Sequence, residues 1–479
     1  MTGPGPLHGR LLIDGAWQAG TRPPLDVFDK FTGETIGTIE CAGREQVDAA
    51  VAAARRSFER TPLDPQERYR YLQRAAQLIE QHRDEFAALI TAEGGLPITD
   101  ATAEVARAMQ TFTVSAEEAK RLVGEMVPID GAPGQSNRMA FTIRVPRGVV
   151  CGIAAFNSPL NMICHKVAPA LAAGNAVVMK PSELAPLSAT RLFGLLLEAG
   201  FPPGHLNLVH GRGDEVGAWL VENTDINFYS FTGSARVGAL VRERAGLRPM
   251  LLELGSISPT IVCEDADLDR AASRCAASAF RRAGQVCTST QRLLVQRSIE
   301  PAFCGRFKKA VSALTVGDPR DPRTDVGPMI SEREAARAES WINEAVTAGA
   351  TLVHGGTREG ALLQPTVLAN VPPDMRVVSS EIFAPVVSIL PYESLDDALC
   401  QANATPFGLA AGIFTRDITR AMTAARRLHV GLVHVNDASS SRVDMMPFSG
   451  VKQSGIGREG PKYAMQEMTE ERLVTFNLI

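Results

Sequence analysis

The chain reads as an α/β protein with two doubly wound parallel-sheet domains and a small β extension. Three observations carry that reading. From Gly148 onward, short apolar runs punctuated by Gly, Pro and Asn alternate with helix-length stretches, a pitch that implies a parallel sheet with helices on both faces. A second alternation of the same kind runs from Thr260 through Val435. Two segments of alternating hydrophobicity, FTIRV at 141–145 and ERLVTFNLI at 471–479, fall outside both. They can pair with each other or with another subunit.

The elements follow in order. Val47, Ala50, Val51, Ala54 and Phe58 keep helical spacing, and Leu72, Ala75, Ala76 and Ile79 repeat it, so two amphipathic helices are expected to open the fold. The first sheet takes its strands from GVVCGIAAF, NAVVMK, HLNLVH, INFYSF and PMLLEL, with helices around 160–173, 187–199, 215–222 and 235–245 between them. TIVC, RLLVQ, VVSILPY, AAGIF and LVHVN supply the second.

Composition narrows the function. At 479 residues the chain is too long for one compact core and predicts two to four domains. Its 49 basic and 53 acidic residues nearly cancel, without a block of five like charges, so nucleic acid and anionic membrane are poor partners. The sequence has no run of about 18 apolar residues such as a membrane helix needs. Met1 to Arg10 lacks the apolar core of a secretory signal, and a cytoplasmic location is expected. The eight cysteines are scattered, with no CxxC, which argues against a disulfide framework or a zinc site and predicts no metal. Most free cysteines are small buried hydrophobes.

Five segments carry chemistry. Gly211-Arg212-Gly213-Asp214-Glu215-Val216-Gly217 follows a strand as GxGxxxG, one residue longer than the dinucleotide fingerprint, and reads equally as a Gly-rich turn. Phe231-Thr232-Gly233-Ser234 also closes a strand and opens a helix, where Ser234 is either an N-cap or a phosphate ligand. Lys180 and Glu183 lie just beyond a strand end; a carboxylate there can accept both hydroxyls of a ribose, and both residues can equally be solvated. In LLELG, Glu253 ends an apolar strand, where burial raises a carboxyl toward a useful general base. Cys287 in GQVCT sits in a small, polar stretch that suits an exposed thiolate nucleophile.

The blocks FNSPLN, PALAAGNAVVMKPSE, FTGS, LLELG, GQVCT, EIFAPV and PFSGVKQSGIGREG occur in one order along the chain. Together they resemble the NAD(P)-dependent aldehyde dehydrogenase superfamily from about Leu11 to the C-terminus. FNSPLNMICHKVAPA and NDASSSRVDMMPF look closest to the branch that includes lactaldehyde and phosphonoacetaldehyde dehydrogenases. The resemblance implies roles residue by residue. Cys287 matches the nucleophile, Glu253 the general base, and Asn157 the side-chain amide that completes an oxyanion hole with the Cys287 backbone N–H. Lys180 and Glu183 match the adenosine-ribose ligands, and Gly233 and Ser234 the turn that meets the pyrophosphate. Gly213 matches a glycine that lets the cofactor approach, Leu254 a further cofactor contact, and Glu381 and Phe383 the nicotinamide-ribose and ring contacts. In this family the pyrophosphate is not bound by an ordinary Rossmann fingerprint, which accounts for the long GxGxxxG.

The same resemblance implies a coenzyme-binding domain over 1–121 and 144–254, a catalytic domain over 255–447, and oligomerisation strands at 122–143 and 465–479 of a homodimer or homotetramer. It implies oxidation of a small-molecule aldehyde to a carboxylic acid through a thiohemiacetal and a thioester. Glu253 favours hydrolysis over transfer to coenzyme A. A catalytically silent scaffold is the other alternative, and the presence of Cys287, Asn157 and Glu253 opposes it. Because Glu183 would repel a 2′-phosphate, NAD is expected rather than NADP.

Position relative to Asn157 and Cys287 predicts a substrate funnel lined by Met162, His165, Arg281, Val286, Thr288 and Arg442. None is aromatic, and a guanidinium can bind a carboxylate or phosphonate bidentately, so a short polar or anionic aldehyde is expected. The two arginines can equally form surface or subunit salt bridges. Ser256, Ile257, Ala384 and Ser449 depart from the family pattern, and their effect on rate is left open.

Overall fold

The computed structural model describes residues 7–478. Residues 1–6 and Ile479 lie outside the described residues, and with them most of the segment behind the expectation of no leader and the ends of two predicted segments.

The first sheet has eight strands in the order Gly455–Ile456, Met250–Glu253, Phe228–Thr232, Val149–Ile153, Ala176–Lys180, Leu206–Leu208, Leu11–Ile13 and Ala16–Gln18. The five central strands are parallel, and antiparallel strands close both sides. The central strands are almost wholly buried, which is why they read as continuous apolar runs rather than alternations. Helices Pro65–Gln81, Ile98–Ala119, Asn161–Ala172 and Leu187–Glu198 contribute to the apolar cluster on one side of this sheet. Arg44–Arg60 and Ala235–Ala245 contribute to the other.

The second sheet orders Thr351–His354, Thr366–Ala369, Val386–Tyr392, Arg292–Gln296, Pro259–Val262, Ala410–Phe414 and Leu432–Val435. It is parallel except for its first edge strand. After it the chain returns: Gly455 and Ile456 pair with Glu253 and Leu252 of the first sheet. In the extension, Arg138–Pro146 pairs antiparallel with Thr469–Asn477 and with Met126–Val127. The two alternating segments therefore pair with each other within one chain.

Two expectations need correction. Short strands, not helices, open the fold: Leu7–Gly9, Thr35–Cys41 and Arg22–Phe28 form a small sheet of their own ahead of Arg44–Arg60. Leu7–Gly9 has too few alternations to register as a period, and the two seven-residue strands are interrupted, Arg22–Phe28 by Pro23 and Pro24 and Thr35–Cys41 by Gly37. The opening helices also number four, because Arg83–Gly94 and Ile98–Ala119 follow the expected pair. The second of these buries Val105 and Phe112 among Ala101, Ala108, Thr111, Ser115, Ala116 and Ala119, a face made mostly of small side chains.

No helix among the described residues is long and apolar enough to cross a membrane.

Candidate active site

The strand order of the first sheet reverses at Val149–Ile153: the chain steps from it to one side through Ala176–Lys180 and Leu206–Leu208, then returns to its other side at Phe228–Thr232. Ligands bind beyond the carboxyl ends of strands at such a switch point. Asn157 follows the Val149–Ile153 strand, Glu253 ends Met250–Glu253, and Cys287 comes from the loop that leads into the second sheet. These three residues line one cavity.

The loop before Cys287 has an unusual backbone. Arg282, Ala283 and Gly284 all lie in the left-handed region, with φ of 54°, 53° and 66°. Side chains there cost of order 1–3 kcal/mol each unless the surroundings hold them. Gly284 is required, because a Cβ on it would stand 2.1 Å from the Ala384 carbonyl oxygen. The side-chain amide of Asn157 donates to the Gln285 carbonyl at 2.8 Å, leaving its second N–H available. The backbone N–H of Cys287 donates to no group among the described residues.

Two carboxyls share this region and are pushed apart. Burial, together with the negative Glu459, pushes Glu253 up to about 7, and the Cys287 thiol, Arg442 and Lys166 only partly offset that. Burial also works to raise Glu459, but Lys166 and Arg442 outweigh it and hold Glu459 below the ordinary range. The contacts agree: Arg442 Nη2 lies 2.9 Å from Glu459 Oε2 and Lys166 Nζ 3.4 Å from Oε1. One oxygen of Glu253, Oε1, is buried with no partner among the described residues. Burial and the facing Glu253 carboxylate push the Cys287 thiol well up. The exposed thiolate expected from the sequence is therefore corrected: Cys287 is half-buried, against Leu409, Ala410, Leu432 and Phe448.

Met162, His165, Arg281, Val286, Thr288 and Arg442 all line the same cavity. His165 gives its Nε2 to Asp444 at 2.8 Å, and Asp444 also takes Arg107 at 2.8 Å and Asn161 at 3.2 Å. The expectation that Arg442 is free for an anion does not hold, since it pairs with Glu459 and lies over the Phe448 ring, 3.9 Å from its centroid. Arg281 has no ion-pair partner among the described residues. Arg281 is exposed at the cavity, as its surface alternative anticipated, and partial desolvation together with the neighbouring Arg282 lowers its guanidinium to about 10, so it stays charged at neutral pH.

Sequence reasoning missed Lys166, Asp444 and Glu459 as members of the site. A signal existed for Lys166: it sits in MICHKVAPALA, an otherwise apolar and nearly wholly buried helix, and a buried ammonium requires a partner.

The predicted cofactor residues fall in two places: Lys180, Glu183, Gly213, Gly233, Ser234 and Leu254 lie at or after strand ends of the first sheet, and Glu381 and Phe383 precede the Val386–Tyr392 strand of the second. Lys180 is buried and its Nζ lies 3.4 Å from Glu183 Oε2. Burial works to raise Glu183, while the Lys180 ammonium and the Gly213 backbone N–H hold it below the ordinary value. No chain atom lies within 4 Å of a Cβ built on Gly213. Ser234 caps the Ala235–Ala245 helix, accepting from Val237 N at 3.3 Å. Leu254 packs so closely on that helix that a Cβ at Gly238 would stand 2.4 Å from it. Glu381 accepts from Ser256 N at 3.0 Å and is pushed up to about 7 by burial. Phe383, at φ 49°, meets Phe156 edge-on with centroids 5.9 Å apart.

Residues 17–474 match the model of the aldehyde dehydrogenase family. The chain belongs to that family. It is 48% identical to the 3-sulfolactaldehyde dehydrogenase of Priestia aryabhattai over 468 residues, covering 98% of each chain. Among solved structures it is similar to the NADP-dependent glyceraldehyde-3-phosphate dehydrogenase of Bacillus halodurans C-125 complexed with NADP, at TM-score 0.96 and 36% identity, covering 99% of this chain and 100% of that one. An NAD-dependent aldehyde dehydrogenase from Sinorhizobium meliloti matches at TM-score 0.95 and 36% identity, covering 99% and 95%. As an aldehyde dehydrogenase, the protein is an oxidoreductase that acts on aldehydes and uses NAD(P). The neighbours include both coenzymes, so the family leaves the choice between NAD and NADP open.

The departures from the family pattern also have places in this aldehyde dehydrogenase. The backbone N–H of Ser256 holds Glu381, and its hydroxyl meets Ser258 at 3.0 Å. The Ala384 carbonyl abuts Gly284, and the Ser449 carbonyl abuts Gly431. The Ser256 N–H, Ala384 carbonyl and Ser449 carbonyl contacts use backbone atoms and do not depend on the altered side chains; the Ser256–Ser258 hydroxyl contact does. Ile257 is buried, and nothing in the structure ties its side chain to the reaction.

Proposed function

We propose that this aldehyde dehydrogenase oxidises a short anionic aldehyde to its carboxylic acid through a thioester on Cys287. The observation that carries the reading is the Cys287 thiol facing a carboxyl, Glu253, whose proton affinity burial has raised to the neutral range. The Cys287 sulfur attacks the carbonyl carbon as the thiolate, its proton having passed to solvent water, so Glu253 stays free as a base for the later hydrolysis. The free Cys287 N–H and the second N–H of Asn157 receive the resulting oxyanion, and a donor of that kind is worth about 10²–10³ in rate. NAD(P), when bound, supplies the hydride acceptor that leaves the acyl group as a thioester. Glu253 then accepts a proton from the water that hydrolyses it.

The cofactor residues fit that group. The Lys180–Glu183 pair presents an ammonium and a carboxylate where two ribose hydroxyls would be held, and Gly213 leaves open space beside them. The Glu183 carboxylate supports NAD over NADP. The first sheet acts as the coenzyme body over 1–121 and 144–254, and the second as the catalytic body over 255–447. The strands at 122–143 and 465–479 join subunits of a homodimer or homotetramer.

Arg281 supports an anionic tail, because it is the cavity arginine with no ion-pair partner among the described residues. Arg107, Arg282 and Arg442 pair with Asp444, Glu104 and Glu459. The relative from Priestia is named for a sulfonated aldehyde.

Cys287→Ala tests the reaction. Turnover is expected to fall more than about a hundredfold while cofactor binding, measured by fluorescence titration, is retained. Residual turnover above about a hundredth of wild type overturns the assignment.

A further inference from the structure

Two loops from different sheets must meet for the oxyanion hole to exist, and one arginine joins them. Arg282 Nη1 lies 2.9 Å from the Asn157 carbonyl oxygen, 3.0 Å from Ser158 Oγ and 3.0 Å from Glu104 Oε2. Glu104 is fully buried in the Ile98–Ala119 helix, and its other oxygen accepts the backbone N–H groups of Leu160 and Asn161 at 3.0 and 3.1 Å. A single carboxylate thus caps the helix that follows Asn157 and holds the arginine that precedes Cys287. The return contact runs the other way, from the Asn157 amide to the Gln285 carbonyl. Gln285 is held in turn: its Nε2 donates to the Arg282 carbonyl at 3.3 Å and its Oε1 accepts from Ile330 N at 3.0 Å.

We propose that Glu104 and Arg282 are positioning residues, a buried clamp that holds the Asn157 loop against the left-handed turn before Cys287, so that the Asn157 amide and the Cys287 N–H converge on one oxygen. The clamp rests on the proposed thioester reading. Neither residue touches the reacting atoms in that reading. Their effect passes through the backbone of Asn157 on one side and the strained Arg282-Ala283-Gly284 run on the other. Surroundings that over-determine such a run keep it in place, and Arg282 is held by two hydrogen bonds, to the Asn157 carbonyl and Ser158 Oγ, and by its ion pair with Glu104. Small displacements of a catalytic donor lose large factors in rate.

The test compares Glu104→Gln, Arg282→Met and their double variant with wild type, using the full chain. Two rates are read at Cys287: the pre-steady-state burst of NAD(P)H with a short aldehyde, and alkylation by iodoacetamide, which needs the thiol but no oxyanion hole. The burst is expected to slow at least tenfold in each single variant, and the double variant to be no slower than the worse single, because the pair acts as a unit. Alkylation is expected to stay within about threefold of wild type. Arg282→Lys, which keeps three donors on one nitrogen, is expected to recover part of the burst rate, and it serves where loss of the charge prevents folding. An unchanged burst rate in the folded variants overturns the clamp. So does a parallel fall in alkylation, which would mean that the loop has collapsed rather than shifted. A wild-type enzyme with no burst and no turnover of any aldehyde would instead overturn the thioester reading itself.

Discussion

Arg442 donates to Glu459, Nη2 to Oε2 at 2.9 Å, and not to Glu253. With Lys166 on its other oxygen, Glu459 absorbs both cations of this corner of the site. Glu253 is left buried, with an unpartnered oxygen, beside a negative neighbour. Environments that drive two carboxyls in opposite directions assign their roles: Glu459 stays ionised as a counter-ion, while Glu253 is the one able to take and return a proton near neutral pH.

Glu253→Gln is expected to permit one turnover and then stall. An amide cannot take a proton from water, so rapid mixing should give a burst of about one NAD(P)H per active subunit followed by a steady rate at least a hundredfold below wild type. Absence of both a burst and a trapped thioester would mean that Glu253 is already required for attack by Cys287.

The pH profile follows from the same carboxyl. Glu253 must be ionised to accept a proton, and its upward shift means that the ionised fraction falls as pH drops below about 7. Deacylation should therefore decline about tenfold per unit on the acid side and level off above it. Glu459→Gln removes the negative neighbour and leaves Lys166 and Arg442 to favour ionised Glu253, so the acid limb should move down by on the order of one unit. A limb that stays in place or moves up would contradict the division of roles.

For the coenzyme, wild type is expected to favour NAD by kcat/KM. Glu183→Ser should narrow the ratio by about tenfold or more, since like charges in a poorly solvated site repel by several kcal/mol. Steady-state kinetics with both coenzymes decide this, and an NADP preference in wild type sinks it.

Arg281→Ala is expected to lower kcat/KM by about 10–100-fold for sulfonated, phosphonated or carboxylated aldehydes, in line with about 1.5–3 kcal/mol for a hydrogen bond to a charged group. A neutral aldehyde of the same length should change less than about threefold. Equal losses for both classes would show that Arg281 shapes the cavity rather than binding an anion.

Order along the chain was enough to read both parallel sheets, because a buried parallel strand is a continuous apolar run and its crossover helix keeps a fixed pitch. Local motifs also placed Glu253 at a strand end and Cys287 in a loop, while Asn157 was legible only through the family resemblance. The opening strands and the Ile98–Ala119 helix escaped, since strands that are very short or interrupted by Pro and Gly, and helix faces made mostly of small residues, leave little periodic signal. What only the tertiary structure decided is pairing between residues far apart in sequence. Asp444 meets His165, Arg107 and Asn161 across separations of 279 to 337 residues, and Arg442 meets Glu459 across a turn that brings the chain back to the first sheet. Residue type announces that a buried charge needs a partner. Which carboxylate answers, and which arginine is left for a substrate, depends on three-dimensional proximity that no local pattern encodes.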